Sequence, residues 1–160
     1  MTTDIAAALL ADIDLDRLAE LMRTQGYRVD LVREPGGDLL RSATGGLAFE
    51  IRGGSPAPEC PASFIDLRCL AGLKIEGELD PAVINAWNVQ RRYARLHRQE
   101  DLLVLTLDVS LAGGVMPAYV VTQIAIWDRL LQDLPVFLRE TLAPRAAAAA
   151  AGPAKVAPAA

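Results

Sequence analysis

The chain has 160 residues, a hydrophobic content of 52% and a formal net charge of −4, with 16 Lys and Arg against 20 Asp and Glu. That length suits one domain with a real core. The acidic balance argues against nucleic acid as a partner, because phosphate binding needs clustered basic side chains.

The N-terminal MTTDIAAALL has no basic leader region and carries Asp4 ahead of its apolar run, so a cytoplasmic protein is expected. Residues 1–13 read as an alanine-rich helical lead-in. Asp14 then caps a helix over about Leu15–Thr24, with Leu15, Leu18, Leu21 and Met22 as its apolar stripe and Gly26 ending it. Asp14 and Asp16 serve as cap and dipole partner there, since no calcium-loop spacing follows them.

Beyond Gly26 the period changes to two. Tyr27, Val29 and Leu31 alternate with Arg28 and Asp30, the pattern of a strand buried on one face. Gly36-Gly37 turns the chain into a short strand at Leu39–Ser42, and Gly45-Gly46 turns it again. Leu47, Phe49 and Ile51 mark the next strand against Glu50 and Arg52. Residues 53–61 read as a loop, and Ile65, Leu67 and Cys69 alternate with Asp66 and Arg68 in a further strand. Cys69 falls on the apolar face of that strand and Cys60 in the loop. The pair lacks companion metal ligands and fits no zinc pattern.

The segment Asp80–Leu96 reads as a capped amphipathic helix. Asp80 is a good N-cap and Pro81 sits at the first helical position, where its missing N–H costs nothing. Ile84, Trp87, Arg91 and Ala94 share one side, while Asn85, Asn88, Arg92 and Arg95 share another. The end of the segment runs into a strand at Ala94–Arg98. Gln99-Glu100-Asp101 is a polar turn, and the longest strand follows through Leu103, Val104, Leu105, Leu107, Val109 and Leu111.

Val109–Trp127 is uncharged and about as long as a membrane span, but Gly113-Gly114 and Pro117 interrupt it, so a turn and a helix start are expected there and no transmembrane segment. Pro117 opens a last helix with the stripe Val120, Ile124, Trp127, Leu131, Leu134 and Leu138. Pro135 predicts a kink or break, since it removes a hydrogen bond and meets the carbonyl of Leu131. The run RAAAAAAGPAKVAPAA has little to bury and reads as a disordered appendage.

These elements predict an α+β fold in two layers, an antiparallel sheet with helices packed mainly on one face, in the order α-β-β-β(-β)-α-β-β-α. The predicted domain is 14–142, preceded by the lead-in 1–13 and followed by an Ala/Pro-rich tail at 143–160.

Catalytic chemistry is not legible. The only histidine, His97, lies beside a hairpin with Glu100 and Asp101 near it, the place of an exposed side chain rather than a base. The four Gly-Gly pairs lack the sequences of phosphate or dinucleotide loops and act as turns. Glu76 and Glu78 read as solvated loop charges. No catalytic residue, metal ligand or cofactor is expected.

Asn85-Ala86-Trp87-Asn88 followed by Arg91-Arg92 resembles the N-x-W-N…R-R signature of the YbjN family of bacterial proteins. The resemblance extends upstream to Gly26-Tyr27 and downstream through Leu102–Leu111, Gly113-Gly114-Val115 and the helix with Trp127, about residues 15–140. It implies a fold similar to type III secretion chaperones and a regulatory role in sensory transduction, with no catalytic residues to carry over. Trp87, Arg91, Gly113, Gly114 and Trp127 form its structural signature. Pro135 is a departure that bears on the straightness of the last helix.

The function expected is a non-enzymatic protein-binding module, a chaperone-like or regulatory adaptor in bacterial signalling or stress response. Asn85, Asn88, Arg92 and Arg95 are its partner-binding candidates. The partner is an unidentified protein, and the last helix, with Val121, Leu130 and Phe137 flanking its stripe, offers a face for a homodimer. Neither nucleic acid nor membrane is expected to bind. The alternative is a sensor that holds a small molecule between the last helix and the sheet.

Overall fold

A computed structural model describes residues 8–151. The helix α1 (Leu15–Thr24) starts at Asp14, whose Oδ1 accepts from the Arg17 N–H at 2.7 Å, and buries Leu15, Leu18, Ala19 and Met22. Five short strands follow: β1 (Asp30–Val32), β2 (Leu39–Thr44), β3 (Leu47–Gly53), β4 (Pro56–Ala57) and β5 (Cys60–Phe64). Then come β6 (Asp66–Lys74), α2 (Pro81–Gln90), β7 (Arg95–Gln99), β8 (Leu102–Ser110) and α3 (Pro117–Ala151).

The main sheet has the order β1-β2-β3-β6-β8-β7, with every pairing antiparallel. Its spine is the β6–β8 ladder, from Asp66 opposite Ser110 to Lys74 opposite Leu102. Period-two alternation sends Phe49, Ile51, Leu67, Cys69, Leu105, Leu107 and Val109 into one buried layer. The helices cover that face, and Trp127 meets Phe49 edge to face at 5.9 Å. The α+β class and the two layers are as expected, and the element order is the predicted one with a β4–β5 hairpin added between β3 and β6.

The opposite face is charged. Arg52 meets Glu50 at 3.0 Å and Glu34 at 3.4 Å, and Arg41 meets Glu50 at 3.2 Å. Arg68 and Arg95 both reach Asp108 at 2.8 Å, from the strands on either side of it. On the core side Cys69 is fully buried, which with the Asp108 charge pushes its thiol up to about 12.

Six expectations are corrected. Residues 8–13 of the lead-in are not helical. They form isolated bridges, Leu10 with Val115 and Ile13 with Phe64, that bury both side chains; residues 1–7 lie outside the described residues. The first strand begins at Asp30, because Tyr27 is drawn away to α3, where its hydroxyl donates to Asp128 at 2.8 Å. The loop at 53–61 contains most of the β4–β5 hairpin, whose Phe64 ring lies against the backbone of Gly53.

The helix at Asp80 ends at Gln90, and Arg91 is its extended C-cap. Finally, α3 continues through Pro135 and Pro144 to Ala151, so the expected break is absent. Buried Leu130, Leu131, Leu134 and Phe137 hold the helix on both sides of the hydrogen bond that Pro135 cannot make. Residues 143–151 are thus helical rather than a disordered tail, with Arg145 paired to Asp80; residues 152–160 lie outside the described residues.

Candidate functional site

The segment from α2 to β7 gathers the sequence-predicted residues. Trp87 is fully buried, meets Phe137 edge to face at 5.3 Å and donates its indole N–H to the Ala94 carbonyl at 3.2 Å. One residue on, the Asn88 amide donates to the Leu96 carbonyl and accepts from the Leu96 N–H, both at 2.9 Å. Trp87 and Asn88 therefore tie α2 to the outer edge of β7. Among the described residues that strand pairs only with β8, and a sheet edge otherwise leaves such backbone groups open.

The short link between α2 and β7 is strained and exposed. Tyr93 has φ 76°, a left-handed conformation that bulky residues rarely adopt, and the residue is 59% exposed. The guanidinium of Arg92 lies 5.2 Å from the Tyr93 ring centroid, and that of Arg91 lies 5.6 Å from the Trp87 ring. Arg91 approaches Asp133 of α3 at 4.0 Å, as Arg129 does, and among the described residues the buried Nε of Arg91 has no hydrogen-bond partner.

Two hollows flank this link, sharing Arg91 and Tyr93 as a common wall. At the sheet edge a hollow of about 420 Å³ is lined by Asn88, Arg95 and His97. Toward α3 a groove of about 560 Å³ has Arg92 and Arg129 on its sides and Ala125, Ile126 and Leu130 in its floor.

The predicted partner-binding residues do not share one helix face. Asn85 is exposed on α2, and Asn88 has both amide groups engaged within the fold. Arg92 lines the α3 groove, whereas Arg95 points across the open face of the sheet to Asp108. The physical cause is the early end of α2, which takes Arg92 and Arg95 off the helix.

Of the signature residues, Trp87 and Trp127 lie in the core and the two glycines in a turn. Trp127 is fully buried, and Gly113 and Gly114 adopt φ of 85° and 84° in the turn between β8 and α3. Sequence reasoning missed Tyr93, Ile126 and Arg129. The spacing of Thr122, Ile126, Arg129 and Asp133 was visible as a second stripe on α3, beside the apolar one.

A second polar cluster also escaped notice. Asp128 accepts from Tyr27 at 2.8 Å, Thr44 at 2.5 Å and Gln132 at 2.6 Å, linking α3 to β2 and the end of α1. Partial burial pushes the Asp128 carboxyl up, but the hydrogen bonds from Thr44, Gln132 and Tyr27 outweigh it and hold the group below its ordinary range. Burial and the Asp128 carboxylate together raise the Tyr27 phenol.

Between α3 and the sheet, where a sensor would hold its ligand, Trp127, Phe49 and their buried neighbours fill the layer. The gap between α1 and α3 amounts to about 10 Å³, the scale of a single water. Among the described residues no helix is long and apolar enough to cross a membrane.

No protein-family model matches the chain, and no curated protein matches it. Among solved structures it is similar to the crystal structure of YbjN, described as "a putative transcription regulator from E. coli", with a TM-score of 0.55 and 14% sequence identity. The match covers 81% of this chain and 96% of that one. At that identity the likeness is one of architecture: the chain has a YbjN-like fold.

Proposed function

We propose that this protein is a non-enzymatic, cytoplasmic protein-binding module of the YbjN type, a chaperone-like or regulatory adaptor in bacterial signalling or stress response. The observation that carries this reading is Tyr93, an aromatic ring kept exposed on a strained backbone, with the guanidinium of Arg92 stacked on it. Strain of this kind persists where the surrounding structure enforces it, and such residues cluster at binding and switching sites. Tyr and Arg are also the side chains enriched where binding energy concentrates. Membership of the YbjN family by descent belongs to this same reading, supported by the Asn85-to-Arg92 signature and the shared architecture.

Replacing Tyr93 with a photoreactive amino acid in cells, followed by mass spectrometry, tests the reading. A discrete foreign protein attached at that position is expected. Self-crosslinks alone would move the site into a homodimer, and a chain that captures nothing would end the adaptor reading.

A further inference from the structure

We propose that the groove between Tyr93 and α3 docks an acidic amphipathic segment of a partner protein, its carboxylates on Arg92 and Arg129 and its apolar side chains on Ile126. This rests on the protein-binding reading and adds to it a place and a chemistry.

Charge complementarity points to the acidic occupant. Three guanidinium groups, those of Arg91, Arg92 and Arg129, border the groove, while Asp133 stands 4.0 Å from two of them. Arg92 has no carboxylate partner among the described residues. In a chain of net charge −4 this is a local excess of positive charge. Arg91 and Arg92 are each held against an aromatic ring, which fixes the planar group and leaves N–H edges to meet a carboxylate.

The floor points to a protein segment. Ala125, Ile126 and Leu130 form an apolar strip along α3, which Thr122 extends one turn back to a length of about 12 Å at the helical rise. An amphipathic segment covers such a stripe with its own apolar face and places acidic residues at the rim. A lone phosphate would leave the floor wet. A nucleic acid needs a longer basic track than one groove of an acidic chain supplies. A second copy packed face to face about a two-fold axis would set the same arginines against one another.

Panning a phage-displayed library of random peptides on the full chain tests the proposal. The enriched sequences should be acidic, with apolar residues at helical spacing. A dye-labelled synthetic copy should bind about tenfold or more weakly to the R92E/R129E variant. Added salt should weaken binding to the unaltered chain. Both substitutions lie at exposed positions, and an unchanged circular dichroism melt shows that the variant is folded.

Peptides without an acidic excess, or bound equally by the variant, would overturn the groove assignment while leaving the adaptor reading standing. No enrichment over bare support would also overturn it, and the Tyr93 crosslinking then decides the broader reading separately. Binding of a single-stranded oligonucleotide or of phosphatidylserine vesicles in place of peptide, or self-association lost in the variant, would assign the groove to another occupant and overturn the proposal.

Discussion

Asn88 and Leu96 exchange a pair of hydrogen bonds, each 2.9 Å, in which a side-chain amide takes the place of a neighbouring strand. Together with the bond from Trp87 to the Ala94 carbonyl, this fixes where α2 stops and where β7 begins. Asn88→Ala removes both bonds and leaves solvent to satisfy the strand edge. We expect a loss of about 1–2 kcal/mol in denaturant unfolding. Amide exchange at Leu96 should quicken more than at its β8-paired neighbours. Unchanged exchange at Leu96 would show that the bond does not protect the edge.

The cluster at Asp128 makes stability depend on pH from both ends. The folded carboxyl is held below its ordinary value, so its contribution is present above about pH 3.9 and is lost as pH falls through the depressed value. The Tyr27 phenol is raised, so its contribution is complete below about pH 10 and is lost as pH climbs beyond that toward the folded value. Asp128→Asn should flatten the acid limb of the stability curve, and Tyr27→Phe the alkaline limb. Denaturant melts across pH read both, and a Y27F curve that keeps its alkaline fall would place the cause elsewhere.

Tyr93→Gly separates stability from binding. Glycine takes positive φ without the steric cost that tyrosine bears, so relief of local strain should raise unfolding stability by about 1 kcal/mol, set against the greater backbone freedom of glycine when unfolded. The same change removes the ring on which Arg92 rests. Binding of the peptides selected above should weaken while the melting temperature rises. A variant that binds as well as the original would show that the ring is not part of the contact.

Gly53 leaves no room for a side chain, because the Phe64 ring occupies the space that a Cβ would take. Gly53→Ala should push Phe64 out of its place beside Ile13 and cost about 1–3 kcal/mol. Thermal or denaturant unfolding measures it. A neutral substitution would mean that the hairpin moves aside freely.

How much of this was legible depended on which forces act locally. The alternation of Leu47, Phe49 and Ile51, and of Leu67 with Cys69, reports a half-buried sheet directly, so strand placement followed from the residues. The end of α2 did not, because Ile84, Trp87, Arg91 and Ala94 keep helical spacing past Gln90. What stops the helix is the grip of Trp87 and Asn88 on residues seven and eight positions ahead, a tertiary effect. Proline gave the opposite error. The lost hydrogen bond at Pro135 was visible, but the packing of Leu131, Leu134 and Phe137 that outweighs it was not. The candidate site was legible only in part, since Arg92 carries the signature whereas Tyr93 and Arg129 matter through where the link and α3 meet.

The two borders of the sheet are unequal in kind but alike in effect. At one, β1 is only three residues long, and at the other α2 already engages the backbone groups of Leu96 in β7 and the carbonyl of Ala94 just before it. Main-chain templating, by which sheets recruit foreign strands or stack into fibres, therefore finds little purchase on this molecule. The surface between the link and α3 instead presents a vocabulary of rings, guanidinium forks and methyl groups, and on the reading proposed above substitutions there change associations without disturbing the lattice of backbone bonds beneath.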